Sequence, residues 1–309
     1  MIVTVTPNPS IDRTLRVPRL VRGSIHRAVS ATAEAGGKGI NVSRALASQG
    51  ESTIAVVPVS EASAGVLVGL LGGAMPLETV PISGEIRVNI SLVEADGTVT
   101  KINEPGPPVG VDDVAALLDR ATELAVRAHW VVGCGSLPPG APADLYGRLA
   151  RQVGGTARVA VDADGEALRK SLEAGVALLK PNRHELEELA GRPLATLGEV
   201  IDYAADVVAR GAGALLVSLG PDGAVYVDAE GATHAEARLD DVLNPVGAGD
   251  ALLAGFLAGG ADRTALGTAV AWSVAACRSP GTRMRAVTAG DAASVVVHPT
   301  IDLGRRLAA

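Results

Sequence analysis

The sequence predicts an α/β protein: a doubly wound, mostly parallel sheet flanked by helices, with a small β lid. Three observations carry this reading. Short aliphatic runs alternate with longer helical patterns along most of the chain, which is the rhythm of βαβ units. The runs, such as Trp130-Val131-Val132, are continuously apolar, as strands covered on both faces are. Two segments instead alternate apolar and polar residues, the pattern of a sheet with one wet face.

The elements follow in chain order. Ile2-Val3-Thr4-Val5-Thr6 is the first strand, and residues 11–33, alternating and poor in helix signals, begin the lid. A helix is expected over 38–49 and a strand over 53–58. Residues 86–93 alternate, turn at Asp96-Gly97 and return over 98–102, a hairpin that completes the lid. Helices are then expected over 111–126, 142–153, 166–174 and 197–210, with strands over 129–133, 157–162, 176–180 and 214–218. The C-terminal third reads as helical, over 249–259 and 264–278. The chain, 1–309, reads as a single domain whose lid spans about 11–34 and 86–103.

Composition sets limits on function. Two Trp, three Tyr and one Phe in 309 residues leave Ala, Val, Leu and Ile to build the core. Only Cys134 and Cys277 are present, with no CxxC. That excludes a disulfide scaffold and a cysteine-rich zinc site and fits a reducing cytoplasm. The formal net charge is −7 and no Lys/Arg run exists, so no nucleic-acid partner is expected. The longest uncharged run, 62–77, is cut by glycines and Pro76 and falls short of a membrane span. No signal peptide is expected before the first strand.

Several familiar motifs fail. Gly36-Gly37-Lys38-Gly39 is not a Walker A loop, Gly247-Ala248-Gly249 lacks the third glycine of GxGxxG, and neither HExxH nor GxSxG occurs. Four other stretches remain. Asn244-Pro245-Val246-Gly247-Ala248-Gly249-Asp250 precedes a small-residue helix. Its glycines let backbone N–H groups approach an anion at a helix start. An Asp there repels phosphate, yet it makes sense as a base that takes a proton from an attacking hydroxyl. A plain Asp N-cap is the other reading. Ala35-Gly36-Gly37-Lys38-Gly39-Ile40-Asn41 opens a helix with a cation and an amide in its first turn. That suits a polyhydroxylated or phosphorylated ligand, or is a glycine-rich turn with a surface Lys. Asp12, beyond the first strand, is either an acceptor for two sugar hydroxyls or a turn former. In Lys180-Pro181-Asn182-Arg183-His184-Glu185, Asn182 and Glu185 stand at capping-box spacing, and they also suit hydrated Mg²⁺ and phosphates. Val217-Ser218-Leu219-Gly220-Pro221-Asp222-Gly223 leads from a strand into a tight turn, either a nucleotide contact or a hairpin.

Taken together and in this order, these motifs resemble the PfkB (ribokinase-like) family of sugar kinases. The resemblance runs from Thr6-Pro7-Asn8-Pro9-Ser10-Ile11-Asp12 to Gly281-Thr282-Arg283. Lys101-Ile102-Asn103-Glu104-Pro105-Gly106-Pro107, Gly135-Ser136-Leu137-Pro138-Pro139-Gly140 and Gly281-Thr282-Arg283 point to its sugar-phosphate branch, which contains the 1-phosphofructokinase, tagatose-6-phosphate kinase and minor 6-phosphofructokinase types. The sequence looks most like the first type. The resemblance implies a ribokinase-like fold and ATP-dependent phosphorylation of a phosphorylated ketohexose, with Mg²⁺. It implies Asp250 as general base and Gly247, Ala248 and Gly249 as anion hole. Asp12, Gly37 and Asn41 would hold sugar hydroxyls, with Lys38, Arg87 and Arg27 near the substrate phosphate. Asn182 and Glu185 would serve Mg²⁺ and the ATP phosphates, Glu185 through water, with Ser218 and Gly220 at the nucleotide. A homodimer through the lid is implied as well. A non-catalytic sugar-phosphate or nucleotide sensor is the alternative of another class.

The chain departs from the family at Asn244-Pro245, where relatives carry Asp-Thr or Ser-Thr. Because a charge of −7 repels both substrates, Lys38, Arg87, Lys101, Lys180 and Arg283 are expected to focus positive potential locally. With so few aromatics, adenine is expected between aliphatic side chains, between the turn after Ser218 and the helix over 264–278. Trp272 is the one aromatic in that helix.

Overall fold

The computed structural model describes residues 1–281 and 283–308. Thr282, of the Gly281-Thr282-Arg283 stretch, lies outside the described residues. The chain begins with β1 (Ile2–Val5), β2 (Ser10–Arg16), β3 (Ser30–Gly36), α1 (Lys38–Ser48), β4 (Thr53–Val59), α2 (Glu61–Leu71) and β5 (Leu77–Pro81). Next come β6 (Arg87–Val93), β7 (Val99–Asn103), α3 (Val111–Ala125), β8 (Trp130–Cys134), α4 (Leu145–Val153), β9 (Arg158–Asp162), α5 (Gly165–Glu173) and β10 (Leu178–Leu179). The remainder holds α6 (Arg183–Ala190), α7 (Leu197–Ala209), β11 (Ala214–Ser218), β12 (Ala224–Asp228), β13 (Gly231–Ala237), α8 (Ala248–Ala258), α9 (Leu266–Cys277), α10 (Ala289–Ala293) and β14 (Val295–His298).

Among the described residues, a ten-stranded sheet runs β14-β13-β12-β11-β10-β9-β8-β1-β4-β5. It is parallel from β5 to β11 and antiparallel from β12 onward. Period-two burial puts a helical layer on each face. On one face Val3, Val131 and Val159 meet Leu117, Leu149, Leu168 and Val200 of α3, α4, α5 and α7. On the other, Ile2, Trp130 and Val132 meet Leu46, Phe256 and Val270 of α1, α8 and α9. The core is aliphatic, with Tyr146 and Phe256 among its few rings. No helix of the described residues is long and apolar enough to cross a membrane.

A second sheet of four strands, β3-β2-β6-β7, stands apart from the first. Because registered partners share a face, Ser10, Asp12 and Thr14 lie with Arg87, Asn89 and Ser91, while Ile11 and Leu15 lie with Val88, Ile90 and Leu92 on the reverse.

The C-terminal third is not only helical. It supplies β12, β13 and β14, an antiparallel edge whose short mixed strands carry no strong period. The strand expected over 176–180 contracts to Leu178–Leu179; Pro181 has no N–H to give to the ladder, although its carbonyl still accepts from the Ser218 amide at 3.1 Å. The glycine-cut uncharged run becomes α2, capped by the Ser60 hydroxyl and ended by left-handed Gly72.

Candidate active site

In a doubly wound sheet, ligands lie beyond the carboxyl ends of the strands, where the strand order reverses. Here the reversal is at β1, flanked by β4 and β8. The segments after β1, β8, β9, β10 and β11 bring Asp12, Gly135, Asp162, Lys180, Asn182 and Ser218 to that end of the sheet. Helices α1 and α8 pack together above it, which sets their N-terminal turns side by side.

Asp250, buried in the first turn of α8, accepts a hydrogen bond at Oδ2 from Asn41 Nδ2 at 2.8 Å. Burial, with the nearby charge of Asp162, pushes its carboxyl up to about 6, against the pull of Asn41, Lys180 and Lys38. Asp162, fully buried at the end of β9, sits between two ammonium groups, Lys38 at 2.8 Å and Lys180 at 3.0 Å. Burial alone would raise this carboxyl, but the two lysines outweigh it and hold it below its usual range. For Lys38, burial pulls downward, yet Asp162 and Glu185 exceed it and keep the ammonium charged. The Cys134 thiol beneath is pushed up by burial and by both carboxylates, so it stays neutral and is no nucleophile.

The glycine turn before α8 has the geometry an anion needs. Gly247 adopts φ +85°, a left-handed conformation that suits glycine. The amides of Gly249 and Asp250 fall among the first-turn donors that a helix leaves without acceptors. Ala248 differs: its N–H donates to the Pro245 carbonyl at 3.2 Å, so it would have to leave that turn to serve an anion. A side chain on Gly249 would meet Lys180 Nζ at 3.5 Å, which puts a cation beside the same turn.

Facing the turn is the polar side of the small sheet. Asp12 accepts from the Ser10 hydroxyl at 2.7 Å and from Asn89 at 3.0 Å. A Cβ on Gly36 would fall 2.4 Å from the Asp12 carboxylate, so close approach demands glycine there. Gly37 combines φ +120° with a Cβ position 2.8 Å from the Thr6 methyl. Half-buried Arg87 donates to the Glu104 carbonyl at 3.3 Å and feels the charges of Asp12 and Asp164.

On the far side, Asn182 caps α6 by accepting from the Glu185 amide at 2.9 Å, and Glu185 Oε2 accepts from the Asn182 amide at 2.8 Å. The capping box is therefore real, and it leaves Glu185 Oε1 pointing at Lys38, 3.7 Å away. A bridge between Asn182 and Ser218 joins the two expected nucleotide loops. Beyond them opens a cleft of about 980 Å³, lined by Asn182, Ser218, Gly220, Val270, Val274 and Cys277 among others. No Trp, Tyr or Phe lines it among the described residues. Trp272 instead packs its indole over Gly255 in the core.

The structure thus gathers Asp250, Asn41, Gly247, Gly249 and Lys38 at one end of the sheet, with Asp12 and Arg87 on the facing strands. Arg27 is exposed on the loop between β2 and β3, and no hydrogen bond or ion pair of the described residues ties it to them. Lys101 is exposed on β7, and Arg283 donates to the Leu70 carbonyl at the end of α2. Sequence reasoning missed Asp162 and Arg44. The signal for Asp162 was a carboxylate ending a buried parallel strand. The signal for Arg44 was a charge among the buried positions of α1, three residues after Asn41.

Residues 5–288 match the pfkB family carbohydrate kinase profile. The chain is 37% identical to the 1-phosphofructokinase of Xanthomonas campestris over 83% of both sequences. It is 36% identical to that of Bacillus subtilis, over 84% of this chain and 85% of the other. Its fold superposes on phosphofructokinase-2 from Escherichia coli in complex with potassium with a TM-score of 0.85, at 31% identity, covering 94% of this chain and 96% of that one. With a profile match over most of its length and relatives above one-third identity, the chain belongs to the pfkB family of carbohydrate kinases.

Proposed function

We propose that this kinase transfers the γ-phosphoryl group of ATP to a hydroxyl of a phosphorylated ketohexose, fructose 1-phosphate foremost, giving fructose 1,6-bisphosphate and ADP. The observation that carries the reading is a buried carboxylate poised near neutrality, Asp250, at a glycine turn between the nucleotide-sized cleft and the polar face of the small sheet. The relatives named 1-phosphofructokinase support the choice of sugar.

In this reading Asp250 Oδ1, the oxygen not held by Asn41, takes the hydroxyl proton. The sugar oxygen bonds to the γ-phosphorus as the bond from that phosphorus to the β–γ bridging oxygen breaks, and ADP leaves with the electron pair. The free amides at the start of α8, with Lys180 and Lys38 beside them, meet the charge on the transferred group. Asp12 and Asn41 orient sugar hydroxyls, and Arg87 holds the substrate phosphate. Arg27, exposed on the loop between β2 and β3, is assigned no part. Among the described residues no cluster of three acidic, His or Cys side chains exists to strip a metal of its water. A single carboxylate oxygen, Glu185 Oε1, would hold hydrated Mg²⁺ through water, and the ion would supply positive charge to the ATP phosphates. Asn182, Ser218 and Gly220 line the nucleotide cleft, where adenine lies between aliphatic side chains.

The four-stranded sheet serves as a lid on this single domain. Its reverse face carries Ile11, Leu15, Val88, Ile90 and Leu92, all only partly buried. A second copy covering them would form a homodimer.

The test is a coupled ADP-release assay comparing kcat/KM for fructose 1-phosphate, fructose 6-phosphate, tagatose 6-phosphate, fructose and ribose. Fructose 1-phosphate is expected to lead. A higher value for either 6-phosphate would reassign the substrate, and ligand binding without ADP release across the panel would indicate a sensor.

A further inference from the structure

Arg44 lies three residues beyond Asn41 on α1, in the interior and 7% exposed. Its Nη2 donates to Asn41 Oδ1, and Asn41 Nδ2 donates to Asp250 Oδ2 at 2.8 Å. The three side chains form a chain whose two ends differ in kind. A guanidinium carries only donors and never loses its charge, whereas an ionised carboxylate only accepts. The amide between them has one end of each sort, and its two orientations are nearly equal in shape.

We infer that Arg44 is a positioning residue for the phosphoryl transfer: it fixes the Asn41 amide so that the NH₂ group, never the oxygen, faces the base Asp250. The inference rests on the reading of Asp250 as base. Its physical content is an asymmetry. Ionised Asp250 accepts from the Asn41 NH₂ group. Protonated Asp250 would prefer a carbonyl oxygen, and a free amide would turn over to provide one. Arg44 forbids that turn, because the NH₂ group would then abut its own donors. The amide therefore supports only the form of Asp250 that can take a proton.

Other charged and titratable groups also surround Asp250. Lys38 reaches it from α1, Asp162 from the end of β9, Lys180 from beyond β10 and Cys134 from β8. Arg44 itself lies among Glu34, Arg283 and Asp12 as well as Asp250. Removing its charge therefore acts on these neighbours too, and the charge-preserving Arg44→Lys and the Asn41→Leu background separate that effect from the hold on the amide.

The experiment is the pH dependence of kcat/KM for fructose 1-phosphate at saturating MgATP, for the wild type, Arg44→Met, Arg44→Lys, Asn41→Leu and the Arg44→Met/Asn41→Leu pair. Loss of a hydrogen bond to the charged form raises a carboxyl pKa. Arg44→Met is expected to move the acid limb up by about half to one pH unit. Arg44→Lys, which also only donates, is expected to restore the wild-type limb. In the Asn41→Leu background, Arg44→Met is expected to add almost nothing. A merely structural loss lowers activity equally at every pH and leaves the limb where it was. Should the Met variant not fold, Arg44→Gln, which can offer either end, carries the same expected shift. An unmoved limb in Arg44→Met overturns the inference, as does an equal shift with Asn41 absent, which would mean charge alone. Failure of the base assignment is separate: Asp250→Asn would then keep its activity.

Discussion

The end of β9 and the start of α8 each bury one aspartate, and the two are driven in opposite directions. Asp162 sits between Lys38 and Lys180 and is held ionised. Among the described residues Asp250 has only an amide directly on its carboxylate, with Asp162 as a like-charged neighbour, and rises to about 6. Two identical side chains brought into one site thus acquire opposite proton affinities from their surroundings alone. Asp162 anchors two cations beside the glycine turn. Asp250 keeps an appetite for a proton near neutral pH, where a general base is most effective. A lysine that paired with Asp250 directly would have made a second anchor and left no base.

Substitution at either aspartate tests the two proposed roles, and the greatest loss is expected at Asp250, the proposed base. Asp250→Asn keeps the shape and the Asn41 contact region but cannot accept a proton. Its kcat on fructose 1-phosphate is expected to fall by about 10³-fold or more, read by ADP release. Asp162→Asn takes from buried Lys180 its one ion-pair partner among the described residues and leaves the partly exposed Lys38 with Glu185 alone. Denaturant unfolding is expected to reveal a loss of about 3–5 kcal/mol, and an unchanged midpoint would mean that the anchor is dispensable. Arg87→Ala acts on the facing strands, away from both aspartates. KM for the sugar phosphate is expected to rise about tenfold with that for ATP nearly constant. Equal changes in both would remove Arg87 from the sugar side.

Much of the fold was legible because the parallel strands are buried on both faces and read as unbroken aliphatic runs. Trp130-Val131-Val132 and Leu215-Leu216-Val217 are of this kind. The antiparallel edge was not, because β13 reads Gly-Ala-Thr-His-Ala-Glu-Ala and carries neither strong β-formers nor clean alternation. Helix α2 was hidden by Gly65 and Gly69, which weaken the local helix signal while its burial and its caps secure it. In the site, glycine turns and their neighbouring polar residues stood out as strings. Asp162 did not, because what makes it special is contact with Lys38, 124 positions away. Asn182 and Glu185 had two competing readings, and the structure shows the capping box: one Glu185 oxygen closes it and the other faces Lys38.

The sharpest check on Asp250 as the base is the acid limb of kcat/KM with fructose 1-phosphate, measured in the wild type and for the residual activity of Asp250→Asn. Below the pKa, Asp250 is protonated and cannot act as base, so wild-type activity should fall about tenfold per pH unit under a midpoint near 6. The residual activity of Asp250→Asn should run flat through the same range. An acid limb of the same midpoint persisting in that variant would place the base on another residue.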